Sequence, residues 1–144
     1  MLRDRVNTVL LVVIGGGNAL VGLWAALAPS SFFDDFPGGG RHWVALDGPY
    51  NEHLVRDVGS LQLALVAIAL AALVRPSRYL LQVLAGAELV YALPHFLYHL
   101  AHLDIFESGD KVALMVSLSV TVIAPLVLLV RSSRQPEGSI IGVT

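Results

Sequence analysis

Cysteine is absent from this chain of 144 residues. Its absence excludes disulfides, thiolate metal sites and a cysteine nucleophile, and it leaves the redox compartment undetermined. Any metal ion would therefore have to be held by His, Asp or Glu.

Charged residues are also scarce. They make up 14% of the sequence, whereas soluble domains carry roughly 25%. The net charge is only −2 and no run of Lys or Arg occurs, so the composition argues against a nucleic-acid partner. What the chain has instead is hydrophobic sequence, 56% of all residues, with a mean hydropathy of +0.72. This composition predicts an integral membrane protein, with the lipid bilayer as its first partner.

Four apolar segments are long enough to cross a bilayer, namely residues 6–28, 52–74, 79–103 and 111–130. We predict an all-α fold, an integral membrane four-helix bundle that forms one domain over residues 1–144. The first segment has an alternative interpretation, because Arg3, Arg5 and the run Ala26-Leu27-Ala28 also fit a signal peptide. Its apolar region, about 20 residues, exceeds the usual core of a signal peptide, which favours a spanning helix.

The basic residues predict the orientation of the bundle. Those outside the helices concentrate at one end, at Arg3, Arg5, Arg75, Arg78, Arg131 and Arg134. The two connections at the other end are mainly acidic. The positive-inside rule then places both termini in the cytoplasm of a cell membrane, with residues 131–144 as a cytoplasmic tail. The loop of residues 30–50 would face outward.

This outward loop has two notable features. Its aromatic residues fit an interfacial belt, and they are Phe32, Phe33, Phe36, Trp43 and Tyr50. Its three glycines, residues 38–40, favour a turn over a phosphate cradle, because no Lys or helix start follows at the required spacing. A loop of this length in a small bundle is typical of a lid.

The third span carries the largest group of ionisable residues within an apolar segment, namely Glu88, His95, His99 and His102. At about 100° per residue, these four fall within a wedge of roughly 60° on one helix face. Glu88 lies two turns deeper than His95, so we expect it in a separate buried tier with Asn18 or Gln62. An ionisable residue within a membrane is by default a functional candidate.

The second span offers a complementary pair, His53 and Asp57, which share a face at a spacing of four residues. A short turn joins the second and third spans, so they should be antiparallel neighbours. If the two faces meet, His53, Asp57, His95, His99 and His102 form one cluster near the outward surface, with Glu52 beside it.

Three interpretations of this cluster remain open. The first is a transition-metal site for Zn, Fe or Cu, whose ligands would be drawn from His53, Asp57, His95, His99 and His102. The second is a haem with an axial histidine. The third is a hydrogen-bonded network that only fixes the helix ends. Glu88 and Asp57 are the candidate catalytic residues if the protein is an enzyme.

Several segments resemble a known group of proteins. They are Phe36-Pro37-Gly38, Trp43, residues 48–59 and Pro94-His95. With these segments the chain resembles small four-helix membrane proteins of actinobacteria, which are similar in layout to the DoxX-like group. The resemblance implies a four-span fold and a membrane location. DoxX-like proteins are associated with redox partners, but the lack of cysteine argues against thiol redox chemistry here.

The leading functional hypothesis is a metal-binding membrane protein that acts as an oxidoreductase or as another enzyme on a lipophilic substrate. A different hypothesis is a non-enzymatic accessory subunit, with Gly15–Gly17 and the aliphatic faces contacting another membrane protein. A third is transport of a proton or small molecule past Glu88, for which a chain of four spans would need to form a homo-oligomer.

Overall fold

The structure is a computed structural model that describes residues 4–134. Predictions for residues 1–3 and for the tail after Arg134 lie outside the described residues. Four long helices form the bundle: α1 (Arg5–Leu27), α3 (Glu52–Val74), α4 (Arg78–Ala101) and α5 (Ser108–Ser133). The short helix α2 (Pro29–Asp35) and the two-residue strands β1 (Pro37–Gly38) and β2 (Arg41–His42) lie in the connection between α1 and α3. The all-α four-helix prediction is confirmed.

The helix boundaries follow from local sequence. Side-chain oxygens of Asp4, Asn51 and Ser77 accept backbone N–H groups at the starts of α1, α3 and α4, as N-cap residues do. α1 ends at Leu27, and Pro29 then begins α2. Proline is well tolerated in the first turn of a helix, because its missing N–H would have no partner there anyway. The fourth span is longer than predicted and continues to Ser133, so the start of the predicted tail is helical.

All four long helices are long and apolar enough to cross a membrane. In the most apolar 18-residue window of each, only 22–28% of the residues are buried inside the protein. Most of the apolar side chains therefore face outward, where only lipid or another apolar surface would cover them favourably. The chain is a multi-pass membrane protein.

The bundle has two distinct ends. The loop end carries residues 28–51 and 102–107, and the termini end carries Asp4, the α3–α4 turn and the end of α5. α1 packs most extensively against α3, and α4 packs most extensively against α5, so the bundle consists of two antiparallel pairs. α3 and α4 do touch, as predicted, but less extensively than the helices within each pair. Leu11, Leu81 and Leu128 belong to an apolar core in the half of the bundle nearer the termini end.

A polar clamp closes the termini end. Arg131 donates from Nε to Asn7 Oδ1 at 3.0 Å and pairs with Asp4 Oδ2 at 2.8 Å, so it joins the first turn of α1 to the last turns of α5. The backbone N–H of Asn7, helped by Arg131, holds the pKa of the Asp4 carboxyl below its usual value. Because these contacts hold α1 against α5 at the termini end, a gap between the two helices can open only nearer the loop end.

The α1–α3 pair depends on close backbone approach at Gly59. A Cβ atom built on Gly59 would lie 2.5 Å from the Ala26 backbone nitrogen and 3.0 Å from the Ala25 carbonyl carbon. Gly22 faces the same crossing, where a Cβ would lie 3.0 Å from Leu63. Small residues allow membrane helices to pack at this distance, and the backbone atoms at this contact cannot rotate away.

We therefore expect Gly59→Ala to lower the free energy of unfolding by about 1–3 kcal/mol, the usual cost of overpacking. Unfolding of the purified protein in mixed micelles would measure this change. Gly16→Ala is the matched control, because a Cβ there has nothing within 4 Å. Equal stability of the two variants would contradict the close α1–α3 contact.

Candidate functional site

The connection between α1 and α3 folds into a short hairpin. β1 pairs with β2 in antiparallel register, and the Trp43 N–H donates to the Phe36 carbonyl at 2.9 Å. The turn consists of Gly38, Gly39 and Gly40, with φ angles of 98°, 66° and 78°. Three consecutive residues with positive φ strongly favour glycine. The prediction that these glycines form a turn is confirmed.

The aromatic residues of this connection turn inward more than predicted. Trp43 is 6% exposed and Phe32 is 7% exposed, so neither belongs to an outward-facing interfacial belt. Phe36 lies between them, with ring centroids 4.9 Å from Phe32 and 6.3 Å from Trp43. Trp43 and Phe36 pack against Leu114 and Leu118 of α5, and Phe32 packs against Trp24 of α1. Burial of their large apolar area therefore outweighs an interfacial position.

Two polar contacts fasten the hairpin region to the helices. The Tyr98 hydroxyl of α4 donates to Asp47 Oδ1 at 3.0 Å. Arg41 Nε pairs with Asp110 Oδ1 of α5 at 2.8 Å. The segment of residues 29–51 is thus attached to both helices of the α4–α5 pair, and we call it the lid.

Beneath the lid is a cavity of about 340 Å³, the lid cavity. The lid contributes part of its wall, and all four long helices contribute the remainder. Its lining comprises Val21, Phe32, Phe36, Trp43, Val44, Asp47, Leu54, Val55, Val58, His95, His99, Leu114, Ser117, Leu118 and Thr121. The wall is thus mainly apolar, with a few polar side chains from the lid, α4 and α5.

His95 and His99 supply two of these polar side chains. Their ring centroids are 4.7 Å apart in an edge-to-face arrangement, as the spacing of four residues on α4 predicts. Tyr91 stacks on the other side of His95, at 5.2 Å. Asp47 of the lid lines the same cavity as both imidazoles. The lid therefore provides the acidic group that the sequence analysis expected from α3.

Two buried nitrogen atoms of residues that line the cavity have no hydrogen-bond partner within residues 4–134. They are Nε1 of Trp43 and Nδ1 of His99, and both are buried. The residues themselves are 6% and 8% exposed. Leaving a buried donor or acceptor unpaired costs about 1–3 kcal/mol, so each of these two atoms calls for a partner beyond the described residues.

The remaining members of the predicted cluster lie elsewhere. His102 caps the end of α4, where its Nδ1 contacts the Tyr98 carbonyl at 2.8 Å and its ring stacks on Tyr98. His53 and Asp57 form a loose pair on the surface of α3, with Nδ1 and Oδ2 3.5 Å apart and side chains 88% and 56% exposed. None of the three lines the lid cavity.

The ligand set expected for a metal is consequently not assembled. Among the described residues, no group of three or more His, Asp or Glu side chains is arranged to hold a metal ion. His95 and His99 come together, while His53, Asp57 and His102 lie outside their cavity. The five predicted ligands are therefore not brought to one site, and the transition-metal hypothesis stays a prediction. The haem hypothesis remains a prediction.

Glu88 belongs to a deeper tier, in the arrangement expected from its position on α4. Asn18 Nδ2 of α1 donates to Glu88 Oε1. Gln62 of α3 interacts with the Tyr91 hydroxyl, and its own Oε1 is buried without a hydrogen-bond partner in the described chain. Glu88 is about 10 Å from His95 along the helix, which separates the two tiers.

Sequence reasoning missed several residues of the lid cavity. Asp47 and Trp43 belong to the lid, whose path over the bundle cannot be read from helical spacing. Ser117 and Thr121 lie on one face of α5, but isolated hydroxyls in membrane helices usually bond their own backbone, as both do here. The one sequence signal for this site was Asp47, the single acidic residue of positions 43–50. The structure places it in the lid, above His95 and His99.

The Tyr98–Asp47 hydrogen bond should keep the lid closed. We expect Tyr98→Phe to speed amide hydrogen exchange in residues 43–50 by about three- to tenfold, because one hydrogen bond contributes about 0.5–1.5 kcal/mol. Exchange measured by mass spectrometry would test this expectation. Tyr79→Phe, at the opposite end of α4 and 76% exposed, is the matched control. Unchanged exchange in Tyr98→Phe would show that this bond does not fasten the lid.

Comparisons with family models, curated proteins and solved structures find no match to this chain. The resemblance to the DoxX-like layout therefore remains a prediction from the segments that carry it.

Proposed function

We propose that this membrane protein binds a small lipophilic molecule in the lid cavity, and that the molecule carries an oxygen able to accept a hydrogen bond. The observation that carries the proposal is the pair of buried, unpartnered nitrogens on Trp43 and His99. Both residues line the same cavity, one from the lid and one from α4.

The size and lining of the cavity support this class of ligand. Its volume of about 340 Å³ lies within the range of roughly 300–1,000 Å³ that is typical of small-molecule sites. Such sites combine mainly apolar walls with a few placed polar groups, and Val55, Val58 and Leu114 are among the apolar residues here.

The unpaired atoms define the polar part of the ligand. The indole Nε1 of Trp43 is only a donor, whereas His99 Nδ1 can donate or accept according to its tautomer. A hydrocarbon would leave both atoms unsatisfied, at a cost of about 1–3 kcal/mol each. A carbonyl or hydroxyl oxygen would satisfy Trp43, and a second such group would satisfy His99. Quinones, ketones and alcohols with hydrophobic bodies are the compounds that fit.

An enzymatic role would build on this binding. His99, His95 and Asp47 line the same cavity, so they are the groups that could exchange a proton with a bound oxygen. Asp57, an initial candidate for catalysis, is distant from this chemistry on the surface of α3. An oxidoreductase or other enzyme acting on a lipophilic substrate is therefore compatible with the lid cavity, with His99 and His95 in the acid–base role.

A pair of ligands tests the proposal. 1,4-Naphthoquinone and naphthalene have the same fused rings, but only the quinone carries oxygens. In calorimetric titrations of the protein in lipid nanodiscs, we expect tighter binding of the quinone. Trp43→Phe should weaken quinone binding by about three- to tenfold, the effect of one hydrogen bond, and leave naphthalene binding nearly unchanged.

Trp24→Phe is the matched control, because its N–H donates to Ser31 and Trp24 does not line the lid cavity. Equal losses for both ligands in Trp43→Phe would mean that ring packing, and not the hydrogen bond, matters. Failure of both ligands to bind would overturn the proposal. In that case, co-purification of a fixed membrane partner would favour the accessory-subunit hypothesis.

We further propose that the loop end faces the outside of a cell membrane, with both ends of the chain in the cytoplasm. The support is the arrangement of charges, because Arg75, Arg78, Arg131 and Arg134 lie at the termini end. Positive charge near spanning helices favours the cytoplasmic side. The lid cavity would then lie in the outer half of the bilayer.

Lys111 provides a direct test of this orientation, since it is the single lysine of the sequence and lies in the first turn of α5 at the loop end. We expect a membrane-impermeant amine reagent to modify Lys111 on intact cells, as detected by peptide mass spectrometry. Lys111→Arg should abolish that product. Modification of Lys111 only after cell lysis would reverse the proposed orientation.

A further inference from the structure

A second cavity, of about 360 Å³, lies deeper in the bundle between α1 and α5. We call it the side cavity. Its walls are mostly apolar and include Val13, Ile14, Val120 and Ala124, and the polar pair of Asn18 and Glu88 also lines it. Ser117 and Thr121 line both cavities, so the two are adjacent. Nothing in the proposed function uses Glu88.

The side cavity faces the lipid side of the bundle. Val13 and Val120, from the two helices that flank it, are 43% and 46% exposed. Gly17 also lines the cavity, and a Cβ built there would meet nothing within 4 Å. The Arg131 clamp ties α1 to α5 only at the termini end. A molecule dissolved in the bilayer could therefore enter between α1 and α5.

Glu88 is an unusual group to find beside such an opening. It is 4% exposed, it accepts a hydrogen bond from Asn18, and no cationic side chain pairs with it among residues 4–134. A carboxylate far from water is stabilised by a cation or else takes up a proton. A cation that enters the side cavity would satisfy the carboxylate, and the Asn18 carbonyl oxygen could accept one of its N–H groups.

We propose that the side cavity is a second binding site, which takes a lipophilic amine from the bilayer. The ammonium group of the amine pairs with Glu88, and its hydrocarbon part lies against Val13, Val120 and Ala124. This site is separate from the oxygen-binding lid cavity in both position and chemistry. It recognises a positive charge through a carboxylate, whereas Trp43 and His99 recognise a polar oxygen.

The test uses n-octylamine, with 1-octanol as its uncharged counterpart of the same chain length. Binding to the full-length protein in zwitterionic nanodiscs is measured by calorimetry, with protein-free nanodiscs as the background. We expect octylamine to bind more tightly than octanol. Glu88→Gln should weaken octylamine binding about tenfold or more, while it keeps a side-chain oxygen able to accept from Asn18.

A second variant tests the site by shape and leaves the carboxylate in place. Gly17→Leu should fill the opening and abolish octylamine binding, because Gly17 lines the cavity. Gly16→Leu is the matched control, since Gly16 also has free space around it but does not line the cavity. If Glu88→Gln fails to fold, as judged by its circular dichroism, the two glycine variants decide the question alone.

The results separate this site from the lid cavity. Glu88→Gln should bind 1,4-naphthoquinone as the wild type does, whereas Trp43→Phe should bind octylamine normally. Equal octylamine affinity in wild type, Glu88→Gln and Gly17→Leu would overturn the second site, whatever happens to naphthoquinone. Octanol binding as tight as octylamine binding would also overturn it, because the site would then not recognise charge.

Discussion

The hydrocarbon core of a membrane offers no water to a polar side chain, and this constraint governs the whole bundle. Each buried polar group must find a partner inside the protein or in a bound molecule. On α4, Glu88 accepts a hydrogen bond from Asn18 of α1, and Tyr91 interacts with Gln62 of α3. The polar residues Glu88, His95 and His99 of α4 therefore lie on the side of that helix that faces the other helices.

Where the internal pairing is incomplete, the structure also has cavities. Trp43 and His99, which each carry an unpaired nitrogen, line the lid cavity. Glu88, which lacks a cationic partner in the described chain, lines the side cavity. A bundle held together only by packing would close such spaces, because voids forfeit van der Waals contacts. Each proposal rests on a polar group of a cavity-lining residue, an unpaired nitrogen in the first case and a carboxylate without a cationic partner in the second.

The sequence predicted the helices well because bilayer thickness sets the length of an apolar run, and the second span was placed at residues 52–74, as observed. It also predicted the separate tier of Glu88, since depth along one helix follows from residue number.

The sequence could not predict which face of α3 meets α4. His53 and Asp57 share a face, but the close contact at Gly59 turns α3 towards α1 and leaves that pair on the surface. The inward course of Trp43 likewise depends on tertiary packing, because an aromatic residue fits both an interface and a core.

The central claim is that the lid cavity holds a lipophilic molecule through Trp43 and His99. An experimental structure of the protein in nanodiscs, determined with 2-bromo-1,4-naphthoquinone, tests it most directly. The account predicts density for the brominated ring beneath the lid, with one carbonyl oxygen within hydrogen-bond distance of Trp43 Nε1 and the other near His99. Density confined to the outer helix surfaces, or a lid cavity filled by rearranged side chains, would contradict it.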